Sequence, residues 1–372
     1  MAENPSQATN IEVSSDSSLA ELRCQIDELD RKLVQLVNDR AKLAVQIGKI
    51  KGERGQTIYA PEREDQVIQQ ALENSTGPLP KDCLQAIFRE LMSGSRALQK
   101  KLRVGFLGPT FSYSYLAALE RFGQCVDWVG VSNIAAVFEA VNRGDVDYGI
   151  VPLENSTDGR IVDTLDMFTR IPVKICGEVF LRIHHCLLAR GRWEDIHEVT
   201  SKPQALSQCR DWLSRNLPNA KVTPAGSTAG AAERACKEPG VAAIASKEAG
   251  TRWGLDIHGE NIEDNPSNIT RFAVIGEDAH ELTGNDKTAV MFQVAHQPGS
   301  LADALNLFKS SDLNLTWIES FPIPEGEGYL FFIEFWGHES EPKVAKALEQ
   351  LMGLSLRFEV LGSFPRSQPS EC

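Results

Sequence analysis

Arg40 interrupts an aliphatic stripe. Leu22, Ile26, Leu29, Leu33, Leu36, Leu43, Ile47 and Ile50 recur in steps of four and three, and Arg40 takes one seam position among them. A buried guanidinium without a partner is costly, so this one needs an internal acid, an anionic ligand or a kink that carries it to water. A polar residue that fixes register in a helix bundle would give the same pattern. Lys51 lies eleven residues on, close to three full turns, and shares Arg40's face. Their Cα atoms would be about 16 Å apart along the axis, within reach of a small anion held between two long side chains. Arg23 sits on a different face, about 25 Å from Arg40 along the axis. If it joins the same anion site, it comes from a second copy of the helix, which implies a dimer with shared sites.

Four motifs further along place polar groups where short apolar runs end. Gly108-Pro109-Thr110-Phe111-Ser112-Tyr113-Ser114 follows a strand pattern and opens a helix pattern. Its backbone N–H groups and the hydroxyls of Ser112 and Ser114 suit a carboxylate, although a plain helix cap reads the same way. Pro152-Leu153-Glu154-Asn155-Ser156 follows another strand, where clefts in α/β sheets form. Ser201-Lys202-Pro203-Gln204, with Gln208, opens a helix in the later half. Asn268-Ile269-Thr270-Arg271-Phe272 enters a strand; an ordinary strand start with an exposed arginine is the alternative.

These groups need scaffolds. The stripe over 22–50 predicts one helix about 50 Å long, which cannot bury its apolar face alone. Two shorter helical patterns follow, one from Pro61 and one over 84–98, with breaks near 52–55 and 77–80. From 102 onward short apolar runs (102–107, 125–130, 148–153) alternate with helical patterns (112–122, 133–143), the grammar of parallel α/β layers. A long strand region over 173–189 separates this from a second stretch of the same rhythm over 205–276, so two α/β lobes with a cleft between them are expected. From 285 the order is strand 288–295, helix 300–310, strand 313–321, strand 329–336, helix 342–352, strand 355–364, the ferredoxin-like βαββαβ pattern. The expected division is a disordered tail over 1–16, an all-α domain over 17–100, an α/β domain over 101–284 and an α+β domain over 285–372.

Composition excludes other classes. A formal charge of −13 over 372 residues argues against a nucleic-acid partner. No apolar run reaches membrane-spanning length. Eight cysteines form no Cys-x-x-Cys pair and read as reduced core thiols. His184 and His185 are adjacent and point to opposite faces of any strand, and no histidine has ligand spacing, so no metal is expected. The N-terminus lacks transit and signal features, which points to the cytoplasm.

Leu22-Arg23, Asp39-Arg40, Gly48-Lys49-Ile50-Lys51, Pro61-Glu62-Arg63-Glu64, Ser95 and Gln99 together resemble the all-helical chorismate mutases. The resemblance implies that Arg23, Arg40 and Arg63 hold the substrate's carboxylates and hydroxyl side. It further implies that Lys51 and Gln99 donate to the ether oxygen, that Glu64 meets the ring hydroxyl and that Ser95 lines the site. An acid often found near Ala60 is missing. The four middle motifs are similar to the prephenate dehydratases. That family implies a two-lobed fold like type II periplasmic binding proteins, with Thr270 assisting departure of the ring hydroxyl. Glu154, Asn155, Ser201 and Gln208 would shape the cleft, and Ser112, Ser114 and Arg271 would contact carboxylates. Thr110-Phe111 stands where the family often has glycine. Pro298-Gly299-Ser300-Leu301-Ala302 and Ile318-Glu319-Ser320-Phe321-Pro322 resemble the amino-acid-binding ACT domains, with Phe321 in place of the usual arginine. In this order the three point to the bifunctional chorismate mutase–prephenate dehydratases. The implied substrates are chorismate and prephenate, the effector is phenylalanine, the assembly is a homodimer or larger, and no cofactor is needed. An arogenate dehydratase on the same fold and a non-catalytic ligand-binding regulator are the alternatives.

Overall fold

The computed structural model describes residues 19–54, 57–157, 159–277, 280–323 and 328–367; the expected tail over 1–16 lies outside them. The chain divides into two compact units, one ending at Ile58 and the other beginning at Tyr59. In the first unit α1 (Leu19–Glu53) is a single 35-residue helix with no buried residue. Its apolar stripe is open: Leu22 is 45% exposed, Leu36 67% and Leu43 60%. The periodicity therefore set the helix, and its apolar face remains bare.

The second unit opens with α2 (Pro61–Glu73) and α3 (Lys81–Ala97), which pack on each other. Pro61 suits the first turn of α2, where an N–H would be unpaired anyway. Two sheets follow. The strands β1 (Arg103–Leu107), β2 (Asp127–Val131), β3 (Tyr148–Asn155), the short β4 (Gly159–Arg160) and β5 (Lys174–Arg182) build the first lobe. Helices α4 (Tyr113–Phe122), α5 (Ile134–Asn142) and α6 (Val162–Arg170) pack with them. The second lobe has β6 (Cys186–Ala189), β7 (Glu198–Ser201), β8 (Lys221–Pro224), β9 (Val241–Ala245) and β10 (Asp256–Gly259), with α7 (Pro203–Gln208), α8 (Arg210–Asn216), α9 (Thr228–Lys237) and α10 (Lys247–Trp253). The chain then returns to the first lobe as β11 (Ile269–Gly276).

The first-lobe sheet runs β2-β1-β3-β11-β5, with β4 beside β3, and the second runs β10-β6-β9-β7-β8. Parallel pairs (β1 with β2 and β3; β7 with β8 and β9) fit the α/β rhythm. Both sheets are mixed: in the first the returning β11 runs antiparallel to β3 and β5, and in the second β6 runs antiparallel to β9 and β10. The expected single strand region over 173–189 is two strands in different sheets. They part at residues 183–185, where the chain crosses between lobes without a glycine or proline to mark it.

The C-terminal sheet holds β12 (Asp286–Gln293), β13 (Leu315–Pro322), β14 (Tyr329–Trp336) and β15 (Arg357–Pro365), ordered β13-β14-β12-β15 and wholly antiparallel. Its helices are α11 (Ser300–Ser310) and α12 (Pro342–Leu354). Side chains alternate between two apolar faces. Val290, Phe292, Ile333 and Phe335 pack under the two helices. Ala289, Met291, Phe332 and Phe364 join one core with Val137, Phe138, Leu165 and Ile175 of the first lobe. At Gly362 (φ 149°) a Cβ would lie 2.3 Å from the Ile175 carbonyl oxygen, an approach open only to glycine. Among the described residues no helix is long and apolar enough to cross a membrane.

Candidate active site

Between the two lobes lies a cleft of about 920 Å³. Three of the helices that begin on its rim carry a side-chain cap. Ser112 Oγ accepts from the Tyr115 N–H at 3.3 Å, Asn133 Oδ1 accepts from the Ala136 N–H at 2.8 Å, and Ser227 Oγ accepts from the Gly230 N–H at 3.0 Å. Helix N-termini carry partial positive charge, so α4 and α5 from one lobe and α9 from the other aim an attractive field at an anion. Lys202 adds a cation to the lining, and Asp163 is the one acid among the described lining residues. The cleft suits a dianion even though the whole chain is acidic.

Across this cleft runs a chain of side-chain hydrogen bonds. The Thr157 N–H donates to Asn155 Oδ1 (2.9 Å), which fixes the direction of that amide. Asn155 Nδ2 therefore donates, to Asn268 Oδ1 at 2.9 Å and to Thr270 Oγ1 at 2.7 Å. Asn268 Nδ2 donates in turn to Gln208 Oε1 at 3.1 Å, bridging the lobes. His185 Nε2 lies 3.0 Å from the same oxygen and so carries the proton. Its Nδ1 is 2.8 Å from the Tyr113 hydroxyl, which also reaches the His184 carbonyl at 2.7 Å. Because Thr270 Oγ1 accepts from Asn155, the Thr270 O–H is left to donate. Burial holds the His185 imidazole below its ordinary range, and burial raises the Tyr113 phenol well above its own. His184 is drawn out of the cleft by Glu263, at 2.7 Å.

The cleft lining takes in Ser112, Ser114, Asn155, Gln208 and Thr270, as expected from the sequence. Three expected residues are placed elsewhere. Arg271 follows Thr270 on a strand, so its side chain leaves by the opposite face and meets Glu178 and Glu334. Glu154 precedes Asn155 and is turned away by the same alternation; its carboxyl, raised mainly by burial, lies among Arg271, Glu334 and Glu319. Ser201 is fully buried and donates to the Ile244 carbonyl at 2.6 Å, which ties β7 to β9. Tyr113, His185 and Asn268 are the members the sequence reading did not assign a role. The signal for His185 was a histidine pair between two apolar runs, at the crossing between lobes. Phe111 adopts φ 68°, the left-handed conformation glycine prefers, which accounts for the usual glycine there.

On α1, Lys51 Nζ donates to the Thr57 carbonyl at 3.1 Å, and Arg23 is exposed while Arg40 is half-exposed. In the second unit Arg63 reaches Gln66 at 3.4 Å. The Glu64 carboxylate is taken up by Arg96, at 2.7 and 2.8 Å, and Arg96 also donates to the Phe122 carbonyl. Ser95 Oγ donates to the Leu91 carbonyl at 2.6 Å, and Gln99 Nε2 to the Ser95 carbonyl at 3.3 Å.

In the C-terminal part Gly299 takes φ 92° ahead of Ser300, Leu301 and Ala302, the first turn of α11. Glu319 and the Ser320 carbonyl accept from Arg160, at 2.6 and 3.1 Å. Phe321 is buried in the core shared with the first lobe. The cation usual at that position is absent, and Arg160 meets the same strand from across the junction.

Known proteins resemble this chain over most of its length. Residues 22–100 match the type II chorismate mutase family, and residues 104–280 match the prephenate dehydratase family. The bifunctional chorismate mutase/prephenate dehydratase of Aquifex aeolicus is 40% identical over 355 residues, covering 94% of this chain and 98% of that protein. This chain belongs to the bifunctional chorismate mutase/prephenate dehydratase family. The prephenate dehydratase of Arthrobacter aurescens, solved in complex with L-Phe, is 32% identical, with TM-score 0.67, covering 72% of this chain and 92% of that one. A solved quorum-quenching acylase is also similar (28% identical, TM-score 0.65), covering 71% of this chain and 98% of its own. The cleft of this bifunctional mutase/dehydratase lies inside the dehydratase match.

Proposed function

We propose that the chain rearranges chorismate to prephenate, converts prephenate to phenylpyruvate, and is inhibited by phenylalanine bound at its C-terminal domain. The observation that carries this is the pairing of Thr270 with Asn155 inside an anion-attracting cleft, in a chain matched over 94% of its length by a bifunctional relative.

In the dehydratase step the bond to the ring carboxylate breaks and leaves carbon dioxide. The electron pair completes the aromatic ring, and the hydroxyl on the opposite ring carbon leaves as water after gaining a proton. Aromatisation supplies the driving force, so the protein must align two groups and supply one proton. Helix N-termini hold the carboxylates, and Asn155 turns the Thr270 O–H toward the departing hydroxyl. A threonine is a weak acid, so its proton must be replaced; the His185–Gln208–Asn268 chain orders the groups behind it.

In the mutase step no proton moves. A compact conformer and stabilised charge on the ether oxygen suffice, a role for Arg40, Lys51 and Gln99, with Arg23, Arg63, Glu64 and Ser95 around the substrate. The bare stripe of α1 supports a homodimer in which a second copy covers it and contributes Arg23. The division at residues 100 and 284, the likeness of the two lobes to type II periplasmic binding proteins and that of the βαββαβ sheet to ACT domains belong to the same reading. The strand order β13-β14-β12-β15 and the Gly299 turn support the last.

An assay fed with chorismate and followed for phenylpyruvate, with and without phenylalanine, tests this. Product that falls on adding phenylalanine is expected. Prephenate accumulating without phenylpyruvate would redirect the second step to arogenate, and chorismate left intact would favour a ligand-binding regulator. Thr270→Ala should lower dehydratase kcat by about 100-fold or more while prephenate still binds. Arg40→Ala or Lys51→Ala should abolish mutase turnover and spare dehydration of added prephenate; normal chorismate turnover in either variant would sink the cation site.

A further inference from the structure

On β11, Thr270 and Phe272 line the cleft while Arg271 faces a buried junction with the C-terminal sheet. There its Nε donates to Glu178 of β5 at 2.8 Å, and its Nη2 reaches both oxygens of Glu334 on β14 at 2.7 Å. Lys287 of β12 donates to Glu178 at 3.0 Å and lies 3.3 Å from Glu334. The four side chains are between 1% and 11% exposed. Two acids and two cations cancel, so the cluster is neutral, and each acid is shared by a cation from either sheet.

The ladder between β3 and β11 shifts register between Arg271 and Phe272. At such an irregularity the ladder no longer fixes where side chains point, and bulges beside active sites commonly re-aim one. The shift falls beside Thr270, at the residue the cluster grips. A second tie reaches the other partner of the catalytic pair. Arg160 on β4 pairs across from Glu154 next to Asn155, and it is held by Glu319 and Ser320 of β13. The Asn155–Thr270 contact is thus tied to neighbouring strands of one outside sheet, directly through β11 and, for β3, by way of its partner β4.

We propose that Arg271 is a positioning residue for dehydration: pinned by Glu334 and Glu178, it holds β11 so that the Thr270 hydroxyl meets Asn155 and the leaving group. The inference rests on the dehydratase reading above. It also means that the C-terminal sheet completes the geometry of a site it does not line.

The test uses the full chain and two variants, Arg271→Lys and Glu334→Gln, with added prephenate. Lysine keeps the charge but grips at one point, so the cluster stays neutral and the fold has its best chance. Dehydratase kcat should fall by about tenfold or more in both, with KM within about twofold of wild type and chorismate turnover unchanged. Amide hydrogen exchange over residues 269–272 should quicken in both. A wild-type kcat in either variant would overturn the proposal. So would a raised KM with kcat kept, which would return Arg271 to the substrate. If the wild-type chain forms no phenylpyruvate, the functional reading fails; unchanged exchange in the variants would then overturn the clamp by itself, and faster exchange would uphold it.

Discussion

Phe111 keeps a left-handed backbone while its ring packs 5.4 Å from that of Tyr115. For a residue with a Cβ this conformation costs roughly 1–2 kcal/mol. Replacing it by alanine or by glycine removes the ring equally, so the difference between the two variants isolates the backbone term. Phe111→Gly should be more stable than Phe111→Ala by about 1 kcal/mol in urea denaturation; the reverse order would mean the turn is unstrained. His185 makes a second case. Its folded pKa is depressed by burial from an ordinary value of 6.5. The unfolded chain therefore binds the proton more readily, and stability rises with pH through this window. The contribution of the neutral imidazole is whole above about 6.5 and is lost as pH falls through the depressed value. Melting temperature should drop between neutral pH and pH 5 more steeply in the wild type than in His185→Gln. Parallel curves would show that other groups set the slope.

Elements carry the coupling between parts. Arg160 sits on a two-residue strand whose only role in the sheet is to flank Glu154 and Asn155, and its charge faces Glu319. At 36% exposure for its own side chain and 24% for its partner, the pair contributes little stability. Its effect should therefore appear in regulation. Arg160→Gln should weaken phenylalanine inhibition several-fold with little change in melting temperature; unaltered inhibition would detach this strand from the sensor. At this scale the sequence was most readable where alternation was clean. The span of β14 and that of α11 coincide with their sequence expectations, because apolar residues recur there with one period and turns bound both ends. The crossing at residues 183–185 carries no glycine or proline, and the His184-His185 pair between two apolar runs is its one mark in the sequence. Arg271 was readable in principle. Neighbours on a strand face opposite ways, so a cleft-lining Thr270 excludes it from the same cleft. The roles of His185 and Tyr113 were harder to read, because Asn268, which ties Gln208 and His185 to the Asn155–Thr270 pair, is brought near by the return of β11.

Across the whole molecule the C-terminal sheet is part of the first lobe's core, and the expected boundary at 284 runs through shared packing. Phe321, Leu330, Phe332, Leu361 and Phe364 sit in one cluster with Val137, Phe138 and Leu165. At about 1.5–3 kcal/mol for each large apolar side chain, those five account for roughly 8–15 kcal/mol, as much as a typical domain's whole stability. A chain ending at 284 should accordingly aggregate on expression; a soluble, cooperatively melting fragment would disprove the shared core. The bare stripe of α1 has the opposite character, since no described residue of its own unit covers it. The proposed mutase site assembled from two chains obeys mass action. On dilution below the dissociation constant, chorismate turnover should fall with the square of enzyme concentration, while prephenate turnover falls in proportion. The ratio of the two rates would then report how abundant the enzyme is, letting a cell that makes little of it spare chorismate for other uses.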